Sequence, residues 1–141
     1  MRYLVFILLF ISLLDAKIYR DSGNNIVIDD ARALMWQDNI DNIKILKTHQ
    51  DAQDYCEQLN LAGYSDWRLP TIEEYETIVY KKNTKTNINF AFRYNLRDGY
   101  WASKAHWRTF WFYADYMFFV SGTPYYDSRH KLKYVRCIRG K

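Results

Sequence analysis

The 141-residue chain has little of several residues that define special protein classes. Two prolines and five glycines exclude a collagen-like or low-complexity chain. Two cysteines without a CxxC motif, and three histidines far apart in sequence, disfavour a structural zinc site. What the chain does have is hydrophobic residues, at 49%, and aromatic residues, at 18%. This composition excludes a disordered chain and predicts one ordinary hydrophobic core.

The N-terminus carries the features of a secretory signal peptide. Arg2 precedes twelve nearly unbroken apolar residues, 3–14, and the small residue Ala16 follows. This order predicts cleavage after Ala16. Twelve helical residues span about 18 Å, which is less than a bilayer core, so an uncleaved anchor helix is the less favoured alternative. We therefore expect a signal peptide, 1–16, and one periplasmic or extracellular domain, 17–141, with no membrane span after cleavage.

The formal net charge of +4 is distributed unevenly. Residues 17–98 contain 11 basic and 13 acidic residues, whereas residues 99–141 contain 8 basic and 2 acidic residues. The positive C-terminal part predicts an anionic partner. The alternative is a solvated basic edge whose charges only prevent strand aggregation. Export argues against nucleic acid as the partner, despite a pI of about 9.0.

Cys56 and Cys137 are predicted to form a disulfide. An even number of cysteines in an oxidising compartment usually forms disulfides, and two cysteines allow only one intramolecular pair. Their separation of 81 residues closes a long loop. In the chain-entropy account such a bond contributes roughly 4 to 5 kcal/mol to the free energy of unfolding.

Hydrophobic patterning predicts strands, then two helices, then further strands. The first helix begins at Thr48, with Cys56 on its apolar stripe, and ends at Gly63. The second begins at a capping box formed by Thr71 and Glu74. This order indicates an α+β fold in one domain. The strands are predicted within 18–28, around a turn at 22–25, and at 33–36, 100–103, 109–114, 117–121 and 133–138, with another turn at 122–124.

Five stretches in this order resemble a known bacterial family. It is the family named after the C-terminal domain of the Legionella collagen-like protein, a domain of unknown function, and the resemblance covers nearly all of residues 17–141. The chain departs from the family at Arg32-Ala33, where Thr-Gly is usual. The stretches are DDARALMW (29–36), the helical segment 52–59 with its Tyr-Cys pair, LAGYSDWRLPT (61–71), YWAS (100–103) and YVRCIRG (134–140).

The resemblance implies a C-type-lectin-like fold related to that of sulfatase-modifying factors. Two helices would pack on small antiparallel sheets, and one disulfide would join the first helix to the last strand, which agrees with the pairing predicted for Cys56 and Cys137. The sulfatase-modifying relatives use cysteines for oxidation chemistry. Because the predicted disulfide occupies both cysteines, we expect that oxidation activity to be absent. The chain is predicted to be non-enzymatic, with no catalytic residue, no cofactor and no metal.

Aromatic and basic residues near the C-terminus favour a glycan ligand. Trp and Tyr stack on the apolar faces of sugars, and Arg and Lys hold anionic groups. The calcium-site motifs Glu-Pro-Asn and Trp-Asn-Asp are absent from the sequence. We therefore predict an exported, adhesion-like recognition module for anionic glycans or a surface protein. The alternative is a periplasmic structural or protein-interaction domain whose aromatic rings are all internal. The predicted ligand-binding residues are Trp107, Trp111, Tyr125, Tyr126, Arg129, Lys131 and Lys133.

Other aromatic and polar residues are predicted to be structural. Trp36, Trp67, Trp101 and most alternate rings of 110–119 are expected in the core, because buried rings are the commoner case. Asp66 and Arg68, which flank Trp67, are expected to form a buried polar network that fixes the local chain, the alternative being a binding spot.

Two groups of acidic residues are predicted to have no catalytic or metal-binding role. Glu74 caps a helix, and Glu73 and Glu76 fit its exposed face. The scattered aspartates of the N-terminal part are expected to be solvated rather than to bind a cation. They are Asp29, Asp30 and Asp38.

Overall fold

Two small sheets and short helices make up residues 17–140, the part that the computed structural model describes. This content confirms the predicted α+β class. The predicted signal peptide, 1–16, lies outside the described residues. The strands are β1 (Ile18–Asp21), β2 (Ile26–Asp29), β3 (Leu34–Gln37), β4 (Leu46–Lys47), β5 (Gly99–Ala105), β6 (Tyr113–Phe118), β7 (Thr123–Ser128), β8 (Lys133–Tyr134) and β9 (Ile138–Gly140).

The C-terminal segment contributes one strand to each sheet. The first sheet has the order β1-β2-β3-β9 and is antiparallel throughout, with Ile138 opposite Trp36. The second has the order β4-β8-β5-β6-β7, and only the β5–β8 pair is parallel. Strand β7 is therefore an edge strand.

The prediction of one continuous strand at 133–138 is wrong. The chain crosses from the second sheet to the first between β8 and β9, and side chains supply part of the hydrogen bonding of residues 135–137. The carbonyl of Cys137 still accepts from the backbone N–H of Gln37 in β3 (2.9 Å). Asn42 donates to the carbonyl of Val135 (2.9 Å), and the Gln37 side chain accepts from the N–H of Cys137 (3.0 Å). These bonds satisfy buried backbone groups that a sheet would otherwise satisfy.

The predicted strands 109–114 and 117–121 are replaced by the single strand β6. Residues 107–109 form a 3-10 helix, and the chain turns after β6 at Gly122, which has a φ of 66°. Strand β7 begins at Thr123, inside the predicted turn 122–124. Pro124 and the polar residues of β7 hide its strand character in the sequence, and an edge strand tolerates both.

Three helices connect the sheets. The single turn α1 (Asp41–Lys44) and helix α2 (His49–Gln58) follow β3, and α3 (Ile72–Glu76) precedes β5. Thr48 caps α2 as predicted, and the capping box of Thr71 and Glu74 is present. Helix α2 ends at Gln58, before the predicted stop at Gly63, whose φ of 81° belongs to the following turn.

The predicted disulfide is confirmed. The Sγ atoms of Cys56 and Cys137 are 2.05 Å apart, and their Cα atoms are 5.6 Å apart. Cys56 lies on the buried face of α2, and Cys137 directly precedes β9. Both residues are fully buried, so the bond ties α2 to the segment that links the two sheets.

Two hydrophobic clusters fill the interior. One contains Trp67, Trp101 and the disulfide, and the other contains Trp36 and Tyr75. The burial of all three predicted core tryptophans is confirmed. Within residues 17–140 no helix has the length and apolar character needed to cross a bilayer.

A buried polar network lies beside the second cluster. Arg136 is fully buried, donates to the carbonyls of Gln37 and Tyr94, and is 3.4 Å from a carboxylate oxygen of Asp38. Asp38 also accepts from Arg20 Nε at 2.6 Å. The expectation that Asp38 is solvated is therefore wrong, because two arginines compensate its charge inside the protein.

Asp29 and Asp30 differ from each other in burial. Asp29 is buried, contrary to the expectation, and accepts from the Arg32 guanidinium at 3.1 Å. Asp30 lies on the surface, as expected.

The buried network expected between Asp66 and Arg68 does not form. Asp66 makes a two-pronged ion pair with Arg139 (2.6 and 3.1 Å), and Arg68 makes one with Glu74 (2.7 and 2.8 Å). Trp67 occupies the buried position between them, which keeps both ion pairs at the surface. The two ion pairs attach the segment around Trp67 to β9 and to α3. Asp66 and Arg68 therefore have a structural role, but each acts through a different partner.

Candidate functional site

The connection between β5 and β6 is a defined turn. Trp107–Thr109 form one turn of 3-10 helix, and Phe110 and Trp111 follow with φ angles of 53° and 56°. The N–H of Trp111 donates to the carbonyl of His106 (3.0 Å), and so does the Thr109 hydroxyl (2.8 Å). The sequence lacks glycine here, so two aromatic residues adopt a left-handed conformation that glycine adopts more easily.

This turn presents its rings to solvent. Phe110 is 89% exposed, and Trp107, Trp111 and Phe112 are also exposed. The expectation that most alternate rings of 110–119 are internal is wrong, because only Phe119 is fully buried among them. The left-handed residues direct the chain away from the sheet before β6 begins, so the alternation of a strand does not apply to residues 110–112.

Tyr125 and Tyr126 are both exposed but occupy opposite faces of β7. Tyr126 contacts the rings of His106 and Tyr113, with centroids 5.9 and 5.8 Å away. Tyr125 instead stacks on Tyr116 at 6.1 Å, on the other face. The ring of Tyr126 therefore contacts the rings beside the turn, whereas the ring of Tyr125 packs on Tyr116, although both residues line one cavity. We define the aromatic surface as Trp107, Phe110, Trp111, Phe112 and Tyr126.

Lys131 and Lys133 share one carboxylate. Each ammonium is 3.0 Å from an oxygen of Asp127. Burial opposes the charged form of Asp127, but the hydrogen bonds from the two lysines outweigh it and lower the pKa of the carboxyl group. The Lys133 side chain is only 12% exposed and its ammonium lies 3.9 Å from the centroid of the Tyr116 ring. Lys131 remains exposed, whereas Lys133 mainly packs the sheet.

Arg129 holds the aromatic surface to α2. Its guanidinium donates to His49 Nδ1 (2.9 Å), to the Gln50 side chain (3.2 Å) and to the carbonyl of Trp111 (3.3 Å). The donors of Arg129 are thus largely engaged within the protein. Its position beneath Trp111 makes it a support for the turn.

Lys104 and Arg108 line cavities together with Trp107 and Tyr126 of the aromatic surface, and the sequence analysis did not single them out. Both are exposed, and within residues 17–140 neither forms an ion pair with a carboxylate. The Arg108 guanidinium carbon is 5.4 Å from the centroid of the Trp107 ring. The sequence could have indicated them through the stretch KAHWR (104–108), in which two cations flank a tryptophan close to further aromatic residues.

Three adjoining cavities run along this side of the sheet. The largest of the three, about 380 Å³, lies between the start of α3 and β7. Its lining includes one cation, two carboxylates and two tyrosines, which are Lys104, Glu73, Asp115, Tyr125 and Tyr126. Two more, of about 290 and 310 Å³, share His106 and Arg108 in their linings. Together they form a shallow groove with an aromatic wall and cations at its rim.

His106 and Asp115 form the one close acid–histidine pair on the described part of this groove. His106 Nε2 is 2.6 Å from Asp115 Oδ1, and both side chains are partly exposed. No hydroxyl or thiol side chain within residues 17–140 forms a hydrogen bond with the His106 ring. Within the same residues no group of three or more His, Cys, Asp or Glu side chains has an arrangement suited to a metal ion. The pair therefore fixes the imidazole against β6 and Tyr126.

A family model described as the Lcl C-terminal domain matches residues 25–139. The chain belongs to this family. The match in this Lcl C-terminal domain runs from just before β2 into β9, so it includes both cysteines and the aromatic surface. It confirms the resemblance found from the sequence motifs. No curated protein matches the chain.

The turn between β2 and β3 forms although this Lcl C-terminal domain has Arg32-Ala33 where Thr-Gly is usual. Ala33 has a φ of 52°, in the left-handed region that glycine adopts without strain. The turn between β2 and β3 therefore forms with alanine, at a conformational cost of roughly 1 kcal/mol. The C-type-lectin-like assignment stays a prediction from the family resemblance.

Proposed function

We propose that this domain is an exported, non-enzymatic recognition module that binds anionic glycans through the aromatic surface. The proposal rests above all on the conformation of Phe110 and Trp111. A left-handed conformation costs a residue with a side chain roughly 1 to 2 kcal/mol. Both rings are exposed, so burial of apolar area does not offset that cost. Strained residues of this kind are concentrated at binding and catalytic sites.

The groups around the rings suit an anionic saccharide. Trp107, Trp111 and Tyr126 offer flat faces for the apolar sides of sugar rings. Arg108 and Lys104 stand beside them, and an arginine can hold a sulfate or carboxylate through two parallel hydrogen bonds. Neither cation is neutralised by a carboxylate within residues 17–140. The groove along β5 and β7 provides length for more than one sugar unit.

The state of the cysteines supports a non-enzymatic role. Both sulfur atoms are bonded to each other in the core, so neither thiol is available for oxidation chemistry of the sulfatase-modifying kind. A scaffold whose aromatic rings are all internal does not fit this molecule, because several rings are exposed. A protein partner on the same rings is the remaining alternative, since exposed apolar patches are also typical of protein interfaces.

Heparin affinity chromatography of the exported protein tests the proposal. We expect retention at low salt and release as salt rises, because screening weakens exposed charge contacts. The double variant Lys104→Glu/Arg108→Glu should bind heparin about tenfold more weakly, since each exposed contact contributes up to about 1 kcal/mol. Phe110→Ser should also reduce retention while leaving the thermal midpoint unchanged, because Phe110 lies almost entirely in solvent.

The matched control is Lys44→Glu/Lys47→Glu, which changes the net charge equally at a place outside the aromatic surface and outside residues 80–97. If both double variants elute at the same reduced salt concentration, retention reflects net charge alone and the proposed surface is wrong. Absence of retention at low salt would remove the glycan function. Capture of a surface protein that depends on Phe110 would then favour the protein-binding alternative.

A further inference from the structure

A second basic region lies between α3 and β5. It is not apparent from the charge counts over 17–98 and 99–141, because the rest of 17–98 is acidic. Residues 80–97 contain five basic residues and no acidic residue. Within residues 17–140 none of the five forms an ion pair with a carboxylate. The surrounding sequence is acidic, so 17–98 as a whole has a net negative count. The five are Lys81, Lys82, Lys85, Arg93 and Arg97.

Hydrogen bonds hold this segment in one conformation. Asn83 donates to the hydroxyl of Thr86 (2.8 Å) and to the carbonyl of Ile88 (2.9 Å). Asn87 donates to the carbonyl of Phe119 (2.8 Å), and Arg97 donates to that of Val120 (3.1 Å). The segment is therefore fixed against the turn after β6, and the backbone positions of its cations are fixed with it.

The segment borders an open cavity with a mixed lining. Its volume is about 400 Å³, and Lys82, Lys85 and Phe90 are among the residues that line it, together with amide and hydroxyl side chains. Phe90 is 69% exposed and touches only one other ring, that of Tyr80, at a centroid distance of 5.6 Å. Val120 is also exposed beside the segment. Two ammonium groups thus adjoin an apolar tip.

The basic region and the aromatic surface lie at opposite ends of β5. The strand runs from Gly99, next to the basic segment, to Ala105, next to the aromatic turn. Seven strand residues span about 20 Å. The turn after β6 belongs to the first end, because the N–H of Phe119 donates to the carbonyl of Asp98 (3.0 Å). A ligand bound at the basic end of β5 would therefore not contact a ligand bound at the aromatic end.

We propose that residues 80–97 dock onto an anionic phospholipid membrane surface. A headgroup phosphate occupies the cavity between Lys82 and Lys85, and the Phe90 ring enters the boundary between headgroups and acyl chains. Lysines beside an apolar tip match a surface that offers phosphates outside and hydrocarbon beneath. This inference does not depend on the glycan proposal, because it uses the other end of the sheet.

Vesicle sedimentation tests this inference with the exported protein, whose N-terminus is first read by mass spectrometry. One set of vesicles contains equal parts of phosphatidylcholine and phosphatidylglycerol, and the other contains phosphatidylcholine alone. We expect binding to the anionic vesicles only. Lys82→Gln/Lys85→Gln should weaken that binding about thirtyfold, since each basic residue near an anionic surface contributes about 1 kcal/mol. Phe90→Ser should weaken it about tenfold, because an aromatic ring leaves the apolar boundary.

The matched control is Lys104→Gln/Arg108→Gln, which removes the same charge at the aromatic end and should leave vesicle binding within twofold, a difference of only about 0.4 kcal/mol. Equal losses in both double variants would overturn the proposal, as would absence of binding to the anionic vesicles. Complete competition by soluble glycerol phosphate, with Phe90→Ser behaving as wild type, would assign the cavity to a free phosphate compound instead. Loss of heparin retention in Lys82→Gln/Lys85→Gln without vesicle binding would assign it to a saccharide.

Discussion

The interior around Arg136 and the aromatic surface around Phe110 place side chains in opposite ways. Arg136 carries a charge and is fully buried, whereas Phe110 carries an apolar ring and is 89% exposed. The Arg136 guanidinium donates to two carbonyls and faces Asp38. Phe110 has a strained backbone, and its ring is almost wholly in solvent. The contacts of Arg136 explain why it is buried. No contact within residues 17–140 explains why Phe110 is held in an exposed position.

This difference separates stability from recognition. A buried charge is tolerated when most of its polar atoms have partners, and both terminal nitrogens of Arg136 have them, although its Nε has none within the described residues. Loss of such a charge is costly because the partners stay behind. An exposed ring contributes little to the free energy of unfolding, so its removal should affect binding and not stability. The same type of substitution should therefore have different consequences in the two regions.

Arg136→Met should cause the largest loss. It leaves Asp38 with only Arg20 as a charged partner and removes the donors to Gln37 and Tyr94. Removing one partner of a buried ion pair costs roughly 3 to 5 kcal/mol, so we expect a decrease of about 3 kcal/mol in the free energy of unfolding. Urea denaturation measures it. Arg108→Met, the same change at the aromatic surface, should stay within about 0.5 kcal/mol of wild type. Similar values for both variants would abolish the distinction.

His49 links β5 to Arg129, the support of the aromatic surface, and should make stability depend on pH. Its Nε2 donates to the carbonyl of Ala102 (2.8 Å), and its Nδ1 accepts from Arg129, which also bonds Trp111. Burial lowers the pKa of His49, the bond to Ala102 opposes this, and the charge of Arg129 adds to the lowering while that of Asp115 opposes it. The unfolded chain therefore binds a proton more readily than the folded chain.

The sign of the effect follows from that difference. The stability associated with neutral His49 is complete above the unfolded pKa near 6.5 and is lost as the pH falls below it, by at most about 1.4 kcal/mol per pH unit. Thermal denaturation between pH 7.5 and 5.5, compared with His49→Gln, should show a smaller pH dependence in the variant. His130→Gln, at an exposed position, should retain the wild-type dependence. An unchanged slope in His49→Gln would contradict the assignment.

Glycine at the two strained positions should have the smallest effect on stability, and the two variants should differ in heparin binding. Phe110→Gly and Ala33→Gly both relieve a left-handed residue, with φ of 53° and 52°. Each should stabilise by about 0.5 kcal/mol, because relief of strain slightly exceeds the added freedom of the unfolded chain. Only Phe110→Gly should reduce heparin retention. Equal retention by both variants would mean that Phe110 is not part of the ligand surface.

The sequence predicted features whose causes are local. Thr48 and the pair of Thr71 and Glu74 cap helices as their spacing indicated, because a cap involves residues only three positions apart. The disulfide followed from the number of cysteines and the predicted compartment. Exposed rings were predicted at Trp107 and Trp111, but Lys104 and Arg108 were missed, since nearness in the chain to the basic tail does not show which cations have a carboxylate partner.

By itself, the sequence determined the family, the α+β class, the caps and the two cysteines that pair. Only the tertiary structure decided that Asp38 is buried, because its partners Arg20 and Arg136 are 18 and 98 residues away in the chain. It also decided that residues 133–140 contribute one strand to each sheet and that the rings of 110–112 are exposed. Periodicity describes one element at a time, whereas these outcomes depend on what packs against the element and on where its backbone turns.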